Sequence, residues 1–209
     1  LKNLTNTKEK FLEVRAWDRE PDFQKRSDLE RAARFIYLNK TGFNGLHRVN
    51  SKGYFNVPFG NNVRANYADE ESLIIASKYL KNSKKQGKKR TVKLMSKSFL
   101  HATRDCVAGD FVYFDPPYDP LNEISFTSYA KDGFDRENQM QLHAEILRLT
   151  NVGAYVMLSN SNTKFISMLY KDREIFYKQE ISVRRSISAA STSRINAPEL
   201  LITNYRVER

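Results

Sequence analysis

A single cysteine, Cys106, stands among 209 residues. That excludes an internal disulfide and suits a reducing compartment. Histidine is nearly as scarce: His47, His101 and His143 are scattered and, with one cysteine, make no metal-ligand spacing, so structural zinc is excluded. No stretch approaches the ~18 consecutive apolar residues of a membrane-spanning helix, and no N-terminal signal pattern appears. Glycine is limited to eight positions, no two of them spaced Gly-x-Gly. Positive charge, by contrast, is abundant. A net charge of +11 and a pI near 9.7 fit a polyanionic partner. Hydrophobic content of 40%, with 12% aromatic, supports a packed core rather than disorder. The length suits one full domain, or one domain plus a small insert.

The most informative stretch is Phe111-Val112-Tyr113-Phe114-Asp115-Pro116-Pro117-Tyr118. Its apolar, β-branched and aromatic start reads as a buried strand. Two prolines then remove backbone donors and bias the preceding residue to extended conformations, so the strand ends abruptly. A carboxylate, the Pro116 carbonyl and the Tyr118 ring are left at its carboxyl edge, where open α/β sheets bind ligands. Asp115 and the Pro116 carbonyl can both accept from one amino group, and Tyr118 can stack on a planar base. A strand followed by a rigid turn is the plainer reading.

A second block, residues 31–60, reads RAARFIYLNKTGFNGLHRVNSKGYFNVPFG. Leu29, Ala32, Ala33, Ile36 and Tyr37 share one face of a helix that Gly42 and Gly45 break. Two short runs, His47–Asn50 and Tyr54–Val57, flank Ser51-Lys52-Gly53 as a hairpin. Phe43 and Asn44 precede it, and Arg48 and Lys52 lie on it. Cations for phosphate or guanine, an amide for adenine and an aromatic wedge suit DNA. By itself the block equally describes an ordinary surface hairpin.

Along the rest of the chain, Lys2–Trp17 reads as an amphipathic helix, and Ser27 or Asp28 as the N-cap of the helix through Asn39. Asp69-Glu70-Glu71 opens another helix. Lys81–Arg90 is a basic linker, either a solvated loop or a phosphate-tracking one. From Thr91 strands and helices alternate. Strands are predicted at Thr91–Met95, Phe111–Phe114, Ala154–Leu158, Glu174–Arg184 and Glu199–Tyr205; helices at Phe99–Arg104, Arg136–Thr150 and Thr163–Tyr170. The pattern predicts a doubly wound α/β sheet with a terminal antiparallel pair. Residues 1–90 are expected to form a target-recognition region, with the reading hairpin at 43–60, and 91–209 the C-terminal part of a catalytic domain.

Asp115 to Tyr118 resembles the Asp-Pro-Pro-Tyr motif of S-adenosylmethionine-dependent amino-methyltransferases. The order of the 31–60 block, this motif, Val183-Arg184-Arg185-Ser186-Ile187-Ser188 and Glu199-Leu200-Leu201 resembles the Dam family of adenine-N6 DNA methyltransferases, from Arg31 to Tyr205. The resemblance implies a Rossmann-like S-adenosylmethionine-dependent fold with a helical and hairpin target-recognition insert. It implies methylation of adenine N6 in double-stranded DNA, typically at GATC, with the target base flipped out. It assigns catalysis to Asp115, Pro116, Pro117 and Tyr118, and cofactor contact to Asp115 and Phe99, the latter equally a core phenylalanine. DNA contacts fall on Phe43, Asn44, Leu46, Arg48, Lys52, Pro58, Arg184, Arg185, Ser186 and Ser188. Phe126 and Tyr129 are a lid over the base or core packing. A cytoplasmic, monomeric enzyme of bacterial or phage type is expected, working alone or beside a restriction nuclease.

The departure from the family lies at the start. Its Lys-Trp-x-Gly-Gly-Lys-like segment and Phe-x-Gly-x-Gly loop, which cradles the cofactor's methionine, do not occur here. A missing N-terminal segment or chain that completes the fold is therefore expected. The alternative is a sequence-specific DNA-binding module without catalysis.

Overall fold

The computed structural model describes residues 1, 3–62, 65–66, 69–82, 92–121, 134–183 and 197–207. They fall into two compact units, one ending at Lys93 and the other starting at Leu94.

In the first unit, helix α1 (Lys8–Ala16) starts where the Thr7 side chain accepts from the Lys10 amide. It buries Phe11 and Val14. Two 3-10 turns, Trp17–Arg19 and Phe23–Lys25, lead to α2 (Asp28–Thr41). Ser27 is its N-cap, and Glu30 closes a capping box by accepting from the Ser27 amide at 3.0 Å. The buried stripe of α2 is not the predicted one. It consists of Arg34, Tyr37, Leu38 and Thr41, while Leu29 is 80% exposed. Only Tyr37 is common to both sets. Leu29, Ala32, Ala33 and Ile36 instead line a groove with Leu73 and Ile74 of α3 (Glu70–Asn82). The difference arises because Arg34 is held inside by hydrogen bonds, which turns the helix about its axis relative to the purely apolar stripe.

The predicted hairpin forms, but as a pinched loop with isolated bridges at Gly42–Phe59 and Val49–Phe55 rather than a continuous ladder. Its base requires glycine: a Cβ on Gly60 would stand 2.6 Å from the Gly42 carbonyl oxygen. At the tip, the Gly53 amide donates to the Asn50 carbonyl at 2.9 Å, with Gly53 at φ 78°. Phe55 and Val57 point inward and join Phe11, Val14, Tyr37 and Leu38 in one core.

The second unit is a four-stranded sheet in the order β1 (Phe111–Phe114), β2 (Tyr155–Ser161), β4 (Ala197–Thr203), β3 (Tyr177–Val183). β1 and β2 are parallel, with Phe114 opposite Leu158. β4 is antiparallel to both β2 and β3. Helix α4 (Phe99–Ala102) precedes β1, α5 (Arg136–Asn151) lies between β1 and β2, and α6 (Lys164–Leu169) between β2 and β3. Leu142, Ile146 and Leu149 of α5 pack with Val156 and Leu158 of β2 and Leu200 and Ile202 of β4. This is the open, mixed α/β sheet that the strand–helix alternation predicts. One predicted strand is absent: 92–95 of the Thr91–Met95 run form no strand, with Leu94 77% exposed. A strand is stabilised by a paired neighbour and a packed face, not by propensity alone. No helix among the described residues is long and apolar enough to cross a membrane.

Candidate active site and candidate nucleic-acid interface

β1 ends at Phe114, and Asp115 follows at the carboxyl end of the parallel β1–β2 pair. Asp115 is exposed, Pro116 half-buried and Pro117 exposed. Among the described residues, neither the Asp115 carboxylate nor the Pro116 carbonyl has a hydrogen-bond partner. Two acceptors on consecutive residues are thus without a partner among the described residues. Tyr118 is half-buried, and its hydroxyl donates to Glu199 Oε2 at 3.3 Å. Burial first, and the Glu199 carboxylate second, push its hydroxyl up to about 12, so it stays a neutral phenol. Phe99 lies beside this edge, its ring 6.4 Å from Phe114 and 5.9 Å from Phe134, both edge-on.

Behind the loop lies a set of groups that sequence reasoning missed. The Gln139 side chain on α5 donates from Nε2 to the Pro117 carbonyl at 2.9 Å. Asn160 on β2 donates from Nδ2 to Gln139 Oε1 at 3.1 Å, and its Oδ1 accepts from the amides of Asp119 (3.0 Å) and Ser161 (2.9 Å). Asp119 is buried and pairs with Arg136 at 3.1 Å. Tyr113 and Ser159 share a hydrogen bond of 2.9 Å. One signal could have revealed them: Ser159-Asn160-Ser161 interrupts an otherwise apolar strand, and polar groups kept inside a sheet need a partner to satisfy.

The first unit presents the hairpin residues. Phe43, Asn44, Arg48, Lys52 and Pro58 are exposed, and Leu46 is half-buried against the core. The Phe43 amide donates to the Pro58 carbonyl at 2.9 Å, which brings these two side by side at the hairpin base. Asn44 sits at φ 51°, a left-handed conformation that asparagine tolerates. The Arg48 guanidinium donates from Nε to Asn56 Oδ1 at 2.7 Å, across the hairpin. Asn50 Oδ1 accepts from the Lys52 and Tyr54 amides, each at 3.0 Å, and fixes the tip.

Beneath the hairpin is a second set of residues missed from sequence. Asp18 Oδ2 accepts from the Phe55 amide at 2.7 Å and pairs with Arg34 at 2.7 Å. Arg34 also donates to the Val14 and Arg15 carbonyls at 3.0 and 2.9 Å. Arg19 reaches the Phe55 carbonyl at 2.9 Å, and Arg15 the Val57 carbonyl at 3.2 Å. Burial lowers the Arg34 pKa and Asp18 opposes that, so the guanidinium is a charge held in by its partner.

Arg184, Arg185, Ser186 and Ser188, the residues Phe126 and Tyr129 expected as lid or core packing, and most of the basic linker lie outside the described residues. No group of three or more His, Cys, Asp or Glu able to hold a metal occurs among the described residues.

Comparison with known proteins shows the family of the chain. The family model for D12 class N6 adenine-specific DNA methyltransferases matches residues 1–184, and the chain belongs to that family. A Type II methyltransferase of Lactococcus lactis subsp. cremoris is 43% identical over 201 residues, covering 96% of this chain and 67% of that protein. A Type II methyltransferase of Methanocaldococcus jannaschii is 42% identical over 181 residues, covering 85% of this chain and 58% of its own length. A DNA adenine methylase of Vibrio cholerae is 33% identical over 201 residues, or 94% of this chain and 65% of the methylase. The chain thus spans between 58% and 67% of the length of these relatives.

Proposed function

We propose that this chain belongs to an enzyme that methylates N6 of adenine in duplex DNA, with the 1–90 region reading the target and the Asp-Pro-Pro-Tyr loop serving the reaction. The observation that carries this reading is the pair of acceptors without a hydrogen-bond partner among the described residues, Asp115 carboxylate and Pro116 carbonyl, at the carboxyl end of β1. The lone pair of an adenine amino group is delocalised into the ring, so the nitrogen is a poor nucleophile. Two acceptors that take both of its N–H bonds localise that lone pair for attack. Asp115 is also placed to take the proton released as the N–C bond forms. Tyr118, kept neutral, offers its ring face to a base turned out of the helix. Holding the base against these groups contributes to the rate through orientation.

S-adenosylmethionine is the proposed donor, a sulfonium that supplies a transferable methyl group. The donor set fits its charge: an exposed carboxylate at Asp115, with the Phe99 aromatic ring packed beside Phe114, suits a cation. On the reading side, Arg48 would take a guanine edge, Asn44 an adenine edge, Phe43 would wedge between bases, and Lys52 would meet phosphate. Leu46 and Pro58 would contact a thymine methyl. Arg184, Arg185, Ser186 and Ser188 would hold the backbone near the extruded nucleotide. GATC is the proposed target.

The test is nucleoside analysis of a duplex panel, each member carrying GATC or one substituted site, after incubation of the full-length protein with S-adenosylmethionine. N6-methyladenine confined to GATC is expected. Methylcytosine, or no modified base, would overturn the reading; N6-methyladenine at a different site would overturn only the target.

A further inference from the structure

Gln139 and Asn160 are 1% and 0% exposed, and their hydrogen-bond partners are backbone groups and each other. Their four amide atoms are all engaged, and the order of engagement allows one orientation only. The Asp119 and Ser161 amides can only donate, so Asn160 must turn Oδ1 towards them. Its Nδ2 then faces Gln139, which must answer with Oε1. Gln139 Nε2 is left for the Pro117 carbonyl, which can only accept. Reversing either amide would set like against like at both of its ends, in a place water does not reach. The chain of bonds therefore has a fixed polarity, running from Ser161 and Asp119 through two side chains to Pro117.

Its two loop ends, Pro117 and Asp119, bracket Tyr118, the residue placed to stack on the base. One end captures the Pro117 carbonyl, while the neighbouring Pro116 carbonyl has no hydrogen-bond partner among the described residues. The other pins the Asp119 amide and so fixes where the Tyr118 peptide enters the fold. The prolines cannot do this themselves: they restrict φ but bring no backbone donor. α5 and β2 thus both anchor the loop, the one through Gln139 and the other through Asn160.

Building on the function proposed above, we infer that Gln139 and Asn160 form a directional latch that positions the Asp-Pro-Pro-Tyr loop, and that Gln139 is the positioning residue whose donor sets the Pro116 carbonyl towards the substrate amino group. Neither residue touches substrate. Their effect is on the rate of transfer rather than on duplex affinity, because the groups they hold act on the base after it has left the helix.

The test uses the full-length protein, with single-turnover methylation and duplex affinity measured for each variant. Gln139→Leu keeps the volume and removes both hydrogen bonds, and the rate should fall by about tenfold to a hundredfold with duplex affinity within about twofold. Gln139→Glu gives the sharper readout. The introduced carboxyl can still accept from Asn160, but can donate to Pro117 only when protonated, and burial raises its pKa. The ratio of variant to unaltered rate should therefore climb as pH falls from about 8 to about 6. A residue that merely fills space would give a ratio independent of pH, and that result overturns the latch, as does an unchanged rate for Gln139→Leu. If the unaltered protein transfers no methyl group, the functional proposal fails instead. The latch is then read from hydrogen exchange of the Asp119 amide: faster exchange in Gln139→Leu supports it, and unchanged protection refutes it.

Discussion

Under the hairpin of the first unit, Asp18 and Arg34 meet as a largely buried ion pair, while behind the loop of the second unit Gln139 and Asn160 meet as neutral amides. Both devices hold a short functional segment by its backbone, at Phe55 in one case and at Pro117 and Asp119 in the other. The charged device suits a strandless hairpin, whose own ladder is reduced to isolated bridges and whose backbone needs outside partners. It also commits the fold: removing one ion strands the other in a region of low solvation. The neutral device holds the loop by its backbone through two amides that add no charge of their own, while the charge of the buried Asp119 beside them is answered separately by Arg136 at 3.1 Å.

The comparison can be broken most forcefully at Asp115. Asp115→Ala should lower single-turnover methylation by about a thousandfold while duplex affinity is kept, since the role proposed for the carboxylate is on the base and not on phosphate. Asp115→Asn, which keeps one acceptor, should be milder. Near-normal turnover in the Ala variant would remove Asp115 from catalysis.

Asp18→Ala should cost roughly 3–5 kcal/mol of first-unit stability, by leaving Arg34 buried and uncompensated. Trp17 is the sole tryptophan and carries the Arg26 guanidinium 4.2 Å above its ring, so its fluorescence reports on this unit during denaturation. An unchanged midpoint would make the ion pair dispensable. Arg48→Ala is the next smaller change. Loss of the proposed bidentate guanine contact should relax discrimination at one base position by about 1–3 kcal/mol, read on singly substituted duplexes. Lys85→Ala, in the basic linker, should instead weaken all sequences alike.

The smallest expected effect concerns pH. The Arg148 guanidinium, hydrogen-bonded to Glu145, and then the Thr103 hydroxyl hold the Glu145 carboxyl below its ordinary range against the opposing effect of burial. Because the folded value is the lower one, this stabilisation is complete above the unfolded value and fades as pH falls towards the folded one. Glu145→Gln should flatten the acid limb of the stability curve below about pH 4.5 and leave its neutral region little changed. An identical acid limb in both proteins would contradict the assignment.

What could be read from residues alone was whatever announces itself locally. The Phe111–Phe114 strand and its proline stop, the Ser27 cap with Glu30 three residues on, and the turn at Ser51-Lys52-Gly53 all carry short-range signals. The buried stripe of α2 was not legible, because an arginine on an apolar face looks like a surface residue until its partner, sixteen positions upstream, is known. The Thr91–Met95 run failed for the related reason that a strand is defined by its neighbour. Gln139 and Asn160 were invisible separately: each is an ordinary polar residue, and their meaning lies in a contact across 21 positions of sequence.

The separation of reading from chemistry is tested most directly by a cycle of Asp115→Ala, Arg48→Ala and the double variant in the full-length protein. Single-turnover rate and duplex affinity would be measured for each on the matched site and on a site altered at one base. The account predicts that Asp115→Ala changes rate alone, that Arg48→Ala changes discrimination alone, and that the two add within about 0.5 kcal/mol in the double variant. Loss of duplex affinity in Asp115→Ala, or a uniform loss on all sites in Arg48→Ala, would contradict it.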